Sequence, residues 1–367
     1  MPDPRLTTLA DLLCRYSLEV SPDDLVLVTG PALAQPLMLE LVKAITDAGA
    51  HPMVRPSLES VDALLMEHGT PAQLETVTRL DEMEIDLPQK HLTIWANGNT
   101  RYLSSAPSEN LTLRTAAFRG LFERFLQRTA RGEARWCGTC FPCHAAAQDA
   151  GMSLTEWEDF VYGAGHLGDP DPIAFWKRQS ARQAEIAERL SQVRELRMVA
   201  EGTDLTLQVE GRTWLNADGR ENFPDGEVYT SPLETATGGH VSFSFDATYN
   251  GRDVTGVKLW FEDGKVVREE ASRGEAYLRD LLDQDAGARY LGEVAFGLND
   301  EIQTATRDTL FDEKIGGTFH VALGMAFPEA GGRNSSGLHW DLVCDLRQGG
   351  EVYGDGELLA RDGRFLA

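Results

Sequence analysis

The sequence carries little positive charge for its size. Of its 367 residues, 34 are lysine or arginine and 58 are aspartate or glutamate, so the formal net charge is -24 at pH 7. A field of this sign repels phosphate backbones and anionic lipid surfaces. We therefore expect neither a nucleic acid nor a membrane as a partner, whereas metal ions and amines are compatible with the charge.

Long hydrophobic runs and paired cysteines are also lacking. No apolar stretch approaches the roughly 20 residues that a membrane helix requires, and prolines and charges interrupt residues 1–20, which do not resemble a signal peptide. The five cysteines are an odd number in a long chain. Free thiols in a reducing compartment fit this number better than a disulfide framework. The sequence thus predicts a cytoplasmic protein.

A functional dinucleotide-binding fingerprint is missing too. The glycine spacing at 163–168 has the required letters, but a helix-like run at 155–162 precedes it and prolines follow it. The fingerprint needs a strand before the glycines and a helix after them. We interpret 163–168 as a loop or a helix end.

Three cysteines at three-residue spacing, Cys137, Cys140 and Cys143, precede His144 and could supply four zinc donors. The adjacent donors Cys143 and His144 cannot easily point at one ion. No second cysteine pair follows at zinc-ribbon spacing. Free thiols in a loop are therefore the favoured interpretation.

The length and the hydrophobic pattern favour two domains, because 367 residues exceed the usual size of a single core. Near the start, strand patterns at 25–28 and 51–56 flank a helical pattern at 37–48. A strand–helix–strand order implies a parallel sheet. We predict an N-terminal α/β domain with a Rossmann-like sheet over residues 1–198.

A long amphipathic connector helix is predicted from Pro172 to about Met198. Beyond it the hydrophobic pattern changes to period two, as at 204–209 and 241–245, which is typical of strands with one buried face. We predict a C-terminal α+β domain with mostly antiparallel strands over residues 199–367.

Residues of the metal-ligand type concentrate in the last third of the chain. Glu227 and Glu293 each enter an apolar run, and burying a carboxylate costs several kcal/mol unless it is paired or metal-bound. His339 and Asp341 lie two apart on a predicted strand and project to the same face. His320 lies in an apolar run, where a lone histidine is more often a satisfied core residue. A His-x-Asp pair on a strand is likewise often an exposed surface feature without a functional role.

Together these residues offer five donors, enough for two divalent ions that share ligands. Two ions about 3.5–4 Å apart share a water, lower its pKa toward about 7 and stabilise the attacking and departing oxygens. A nearby carboxylate then takes the proton.

Four islands around these donors resemble the metal motifs of the thermophilic metallo-aminopeptidases, the AmpS/AmpT family, in order and spacing. The islands are 222–232, 289–293, 312–324 and 336–341, and the region 136–153 resembles the stretch between motifs. The similarity spans most of the chain, and the four islands together are specific.

The resemblance implies that two divalent ions, zinc or cobalt with manganese as a further option, are bound by Glu227, Glu293, His320, His339 and Asp341. It also implies a homodimer with a C-terminal catalytic domain. The implied reaction removes the N-terminal amino acid, with apolar residues such as leucine favoured, from peptides that have a free N-terminus. Glu293 would serve as the base, or as a bridging ligand with the base role left to another group.

One position departs from the family pattern. Seven residues after His320 the family commonly has a tyrosine, which is proposed to assist the transition state, and this chain has Phe327. A phenol can donate a hydrogen bond to a developing oxyanion and a phenyl ring cannot. Either another tyrosine substitutes (Tyr229, Tyr290 or Tyr353), or turnover is reduced, or the pocket is narrowed.

Two other functions stay open at this point. His320, His339 and Asp341 alone form the two-histidine-one-carboxylate set of Fe(II) oxygenases, and the fold is also similar to that of the 2,5-dihydroxypyridine dioxygenases. A mononuclear ring-cleaving dioxygenase is therefore the alternative, although it would not need Glu227 and Glu293. The other function is that of a metal-stabilised binding protein, descended from the peptidase but without turnover.

Overall fold

The structure is a computed structural model and describes residues 3–366. The α-helices are α1 Pro4–Leu12, α2 Gln35–Asp47, α3 Glu59–His68, α4 Pro71–Leu74, α5 Arg79–Asp86, α6 Ser108–Ala130, α7 His144–Asp149, α8 Leu154–Ala164, α9 Pro172–Leu190, α10 Glu275–Leu282 and α11 Thr309–Asp312. None of the described helices is long and apolar enough to cross a membrane.

The strands are β1 Leu25–Pro31, β2 His51–Ser57, β3 Lys90–Trp95, β4 Arg135–Cys140, β5 Glu195–Ala200, β6 Thr203–Gln208, β7 Leu215–Ala217, β8 Asn222–Phe223, β9 Glu227–Thr230, β10 Thr237–Ser242, β11 Ala247–Tyr249, β12 Arg252–Val254, β13 Lys258–Glu262, β14 Lys265–Glu270, β15 Leu291–Gly297, β16 Thr318–Gly324, β17 His339–Asp345, β18 Glu351–Gly354, β19 Glu357–Arg361 and β20 Arg364–Phe365.

The chain forms two compact units. The first comprises Met1–Ile173 and Gly219–Pro224, and the second comprises Ala174–Asp218 and Asp225–Ala367. This division differs from the predicted boundary at residue 198, because α9 packs within the second unit. There the side-chain amide of Gln183 donates hydrogen bonds to the carbonyl oxygens of Ala217 (2.8 Å) and Glu227 (3.0 Å).

The connector helix is shorter than predicted. It ends at Leu190, and residues 195–200 form strand β5 rather than its last turns. Leucine, methionine, glutamate and arginine in this stretch are good helix formers, but β5 pairs with β6 on one side and with β18 on the other. The two ladders of backbone hydrogen bonds outweigh the weak local preference.

The first unit is an α/β structure around a parallel sheet. Its strand order is β2-β1-β3-β4-β8, and every pair is parallel. Val28 of β1 lies opposite Leu92 of β3, and both side chains are buried. The parallel sheet predicted from the strand–helix–strand pattern is therefore present.

The second unit is built from antiparallel sheets. An eight-stranded sheet has the order β14-β13-β10-β6-β5-β18-β19-β20, a five-stranded sheet has the order β17-β16-β15-β9-β7, and β11 and β12 form a hairpin. A single cluster of buried apolar residues contains Leu196 and Leu205 from the larger sheet and Val294, Val321 and Leu342 from the smaller. One face of the five-stranded sheet thus lines the core, which leaves the other face for polar side chains.

Candidate metal centre

The five predicted donors share that other face of the five-stranded sheet. Val294, Val321 and Leu342 lie opposite one another and enter the core. Side chains alternate between the faces of a sheet, so the residues adjacent to these three project away from the core. The donors are Glu227 on β9, Glu293 on β15, His320 on β16, and His339 and Asp341 on β17.

The strand register brings the donors together. Glu293 lies opposite Ala322, and Ala322 lies opposite Asp341. His320 and His339 each lie two residues before one of these positions and therefore share their face. Spacing within one strand could be predicted, whereas this alignment across strands depends on pairing between distant segments.

A β-bulge at Gly292 aims Glu293 into the centre. The pairing of β15 with β16 shifts between Leu291 and Glu293. A Cβ atom on Gly292 would lie 2.0 Å from the carbonyl oxygen of Met325. Only glycine permits the two backbones to approach this closely, and a bulge of this kind re-aims the side chain beside it.

Glu293 occupies the middle of the cluster. Its Oε1 atom lies 3.7 Å from Nε2 of His320, and its Oε2 atom lies 3.4 Å from Nε2 of His339. Glu227, Glu293 and His320 each offer a ligand atom within 4.8 Å of the others, and so do Glu293, His339 and Asp341. Two three-residue groups therefore share one carboxylate.

Several buried donor atoms lack a hydrogen-bond partner among the described residues. His320 is fully buried, and neither of its ring nitrogens has a hydrogen-bond partner among residues 3–366. The same holds within that range for Oε2 of Glu227, which lies 3.5 Å from Nε2 of His320, and for Oδ1 of Asp341. An unsatisfied buried polar atom costs about 1–3 kcal/mol. Imidazole nitrogens and carboxylate oxygens are ligands of divalent metals, so the donor set fits such ions.

The orientation of His339 leaves one ring nitrogen available for a metal ion. Its Nδ1 atom lies 3.0 Å from the carbonyl oxygen of Met325, to which an Nδ1–H group can donate. That hydrogen bond leaves Nε2 as the free nitrogen facing Glu293 and Asp341. Histidines that bind metals commonly have their second nitrogen held in this way.

Strong electrostatic coupling accompanies the burial. Burial opposes the charge of Glu293, but the imidazoles of His320 and His339 outweigh it and lower the pKa of this carboxyl to about 2. Burial likewise disfavours the His339 imidazolium, but Glu293 and Asp341 outweigh it and raise its pKa to about 9. Burial raises the pKa of Asp341. Without metal, the centre therefore favours protonated imidazole beside an ionised Glu293.

Sequence reasoning missed three charged residues beside the donors. Lys314 is fully buried, with Nζ 3.1 Å from Oε1 of Glu227 and 3.8 Å from Oδ1 of Asp225, and it also contacts the Glu313 carboxylate. Glu313 offers an oxygen within 4.8 Å of ligand atoms of His320 and Asp341. The available signal was the run of charges at 312–314, which the family resemblance includes without assigning it a role.

Phe327 lies beside the donors. The centroid of its ring is 5.3 Å from that of the His339 imidazole and 5.2 Å from that of Tyr229. Of the three tyrosines considered as substitutes, Tyr353 donates its hydroxyl hydrogen bond to Glu351 in the eight-stranded sheet. The structure thus places Tyr229, rather than Tyr353, in the same aromatic group as Phe327.

The two other motif-like stretches lie outside the metal-type groups found among the described residues. Cys137, Cys140 and Cys143 are buried, and no metal-type group found within residues 3–366 includes them. The glycines at 163–168 lie at the C-terminal end of α8, with Gly163 in its last turn and Gly165 as its C-cap, as interpreted from the sequence.

Comparisons with known proteins agree with the geometry. The profile of the thermophilic metalloprotease family (M29) matches residues 2–365. Aminopeptidase 2 of Geobacillus stearothermophilus is 27% identical over 350 residues, which cover 88% of this chain and 84% of that protein. Aminopeptidase T of Thermus thermophilus is 36% identical over 188 residues, 47% of this chain and 45% of that protein. The solved structure of wild-type AmpT from Thermus thermophilus superposes with a TM-score of 0.85 at 26% identity, with 99% of each chain covered.

Proposed function

Since the chain belongs to the thermophilic metalloprotease family (M29) and is a metal-dependent aminopeptidase, we propose that it works with two divalent ions. The observation that carries this proposal is the sharing of Glu293 between two groups of donors. Glu227 and His320 would complete one position, and His339 and Asp341 the other. Zinc or cobalt, or manganese, suits such a set of nitrogen and oxygen ligands.

The charges of the cluster support two ions rather than one. Five carboxylates and one ammonium gather here, which leaves four negative charges when the imidazoles are neutral, and two divalent ions would neutralise them. A single ion would leave two negative charges buried, which is costly. The carboxylates are those of Asp225, Glu227, Glu293, Glu313 and Asp341, and the ammonium is that of Lys314.

Within this proposal each side chain has a separate catalytic role. Bound ions would polarise the scissile carbonyl and provide a hydroxide near neutral pH. Glu293 faces both imidazoles, which supports its role as a bridging ligand. The base role would then fall to another group. Tyr229, which packs against Phe327, would donate its phenolic hydrogen bond to the developing oxyanion in place of the missing family tyrosine.

The dioxygenase alternative is not favoured. A mononuclear site would gather His320, His339 and Asp341 around one ion. Among the described residues, however, the two imidazoles fall into different donor groups, each completed by Glu293 or another carboxylate.

We also propose an apolar substrate preference with leucine favoured, a homodimer and a cytoplasmic location. Large apolar side chains exposed on the first unit could support self-association, among them Val61 and Leu64 of α3 and Phe122 and Leu126 of α6. The free thiols of Cys14 and Cys344 are compatible with a reducing compartment.

Metal analysis combined with turnover tests the function. The purified protein, loaded separately with zinc, cobalt and manganese, is expected to hold two ions per chain and to hydrolyse leucine p-nitroanilide faster than the arginine analogue. One iron per chain with oxygen uptake would support the dioxygenase. Tight metal without turnover of leucine, methionine, phenylalanine, alanine or arginine p-nitroanilides would leave only the binding protein.

A further inference from the structure

Lys314 is a buried cation held directly against a metal donor. Its side chain has no solvent exposure, and its ammonium lies between the carboxylates of Asp225, Glu227 and Glu313. An ammonium in this setting stays charged because three carboxylates surround it. The centre thus contains one permanent positive charge supplied by the chain itself.

The ammonium of Lys314 gives the two carboxylate oxygens of Glu227 different surroundings. Oε1 accepts a hydrogen bond from Nζ at 3.1 Å. Oε2 faces Nε2 of His320 at 3.5 Å and has no hydrogen-bond partner among residues 3–366. Oε1 of Glu227 is therefore already engaged by the ammonium, whereas Oε2 faces His320 and has no hydrogen-bond partner among the described residues.

The second donor group has no such neighbour. Within the described part of the chain, the ion pairs of Lys314 include neither His339 nor Asp341. The donors His339 and Asp341 instead face each other at 3.8 Å and share Glu293. An ion at this position would share no carboxylate directly with the ammonium.

From this asymmetry we infer that Lys314 is a positioning residue that makes the two metal positions unequal. An ion held by Glu227 and His320 shares a carboxylate directly with the ammonium, so the ammonium repels it more strongly than an ion held by His339 and Asp341. The His320 position therefore fills second and empties first. The inference rests on the proposed two-ion function and deepens it.

Titration of the metal-free full-length protein with cobalt tests this order. Binding is monitored by calorimetry and by the visible absorption of bound cobalt. The wild type is expected to bind in two steps whose dissociation constants differ by about tenfold or more. Glu227→Gln is expected to abolish the weaker step and to leave the tighter one within about twofold. This variant assigns the weaker step to the His320 position.

Substitutions of Lys314 itself then measure the effect of its charge on the two dissociation constants. Lys314→Gln removes the charge but keeps a donor toward Glu227, and it is expected to tighten the weaker step until the two constants lie within about threefold. Lys314→Arg keeps the charge and should keep the wild-type ratio. Lys265→Gln, at an exposed position of β14, removes one positive charge from the eight-stranded sheet and should also leave the ratio unchanged.

Two equal constants in the wild type would overturn the inference, and so would a parallel weakening of both steps in Lys314→Gln. If the Lys314 variants fail to fold by circular dichroism, the wild-type and Glu227→Gln titrations still decide. Fewer than two ions per wild-type chain, or no hydrolysis at saturating cobalt, would instead refute the proposed function. Two ions with turnover and equal affinities would leave that function intact and remove only the role of Lys314.

Discussion

The ring of Tyr229 lies against the ring of Phe327, with 5.2 Å between centroids and an angle of 63° between the planes. Phe327 in turn contacts the imidazole of His339 edge to face. A phenol and a phenyl ring thus stand side by side at the rim of the donor cluster. Of these two rings only that of Tyr229 carries a hydroxyl, the group that the proposed function assigns to the developing oxyanion.

Removing the hydroxyl of Tyr229 is therefore expected to slow the chemical step. Tyr229→Phe should lower kcat by about a hundredfold, with little change in KM or metal content, because one donor to the oxyanion is lost. Adding Phe327→Tyr to that variant should restore part of kcat. Tyr353→Phe is the matched control, since its hydroxyl serves Glu351. Full activity in Tyr229→Phe, measured with leucine p-nitroanilide, would exclude this role.

We expect replacement of Glu293 to impair both catalysis and metal binding. Glu293→Gln should lower kcat by about 10²- to 10⁴-fold and weaken both ions, because both donor groups use this side chain. Metal content after dialysis and kcat at saturating metal measure the two effects separately. Glu329→Gln makes the same chemical change at an exposed residue beside Phe327 and should behave as the wild type. Loss of only one ion in Glu293→Gln would argue against a bridging role.

Local sequence patterns anticipated those parts of the structure that depend on neighbouring residues. His339 and Asp341 could be assigned to one strand face because period-two alternation is a property of a single segment. The parallel sheet followed in the same way from the strand–helix–strand order. His339 and Glu293 come together because β15 pairs with β16 and β16 pairs with β17. The residues that determine this pairing are far apart in sequence.

Two features lay beyond such reasoning for different reasons. The stretch from Glu195 to Met198 has good helix formers, and only its pairing with β6 and β18 makes it a strand. Lys314 looks like an ordinary surface lysine in a charged run. Its burial follows from the surrounding carboxylates of Asp225, Glu227 and Glu313, which no local pattern reveals.

The bulge beside Glu293 predicts a strict requirement for glycine. Gly292→Ala should destabilise the fold by about 2 kcal/mol or more, because the added carbon would overlap the Met325 carbonyl oxygen. It should also weaken metal binding, since Glu293 is the next residue. Gly238→Ala, a strand position with no heavy atom within 4 Å of the added carbon, is the control. Equal urea midpoints for the two variants would contradict the steric explanation.

A buried histidine in the first unit predicts a specific loss of stability in acid. His91 on β3 is 8% exposed and packs edge to face on Phe125. Burial, with a further contribution from Arg128, lowers its pKa from 6.5 to about 4. The unfolded chain therefore takes up the proton first as the pH falls. The stability that His91 contributes is fully present above pH 6.5 and is lost as the pH falls toward 4.

The expected loss over that range is at most about 3.5 kcal/mol, because each pKa unit corresponds to about 1.4 kcal/mol. His91→Phe removes the titrating group and keeps an aromatic ring against Phe125, so its free energy of unfolding should depend less on pH by that amount. Urea unfolding of the wild type and the variant at several values between pH 7 and pH 4 measures the difference. His68→Phe removes an exposed imidazole and should retain the wild-type pH dependence. Parallel curves for the wild type and His91→Phe would show that His91 does not set the acid limit of the first unit.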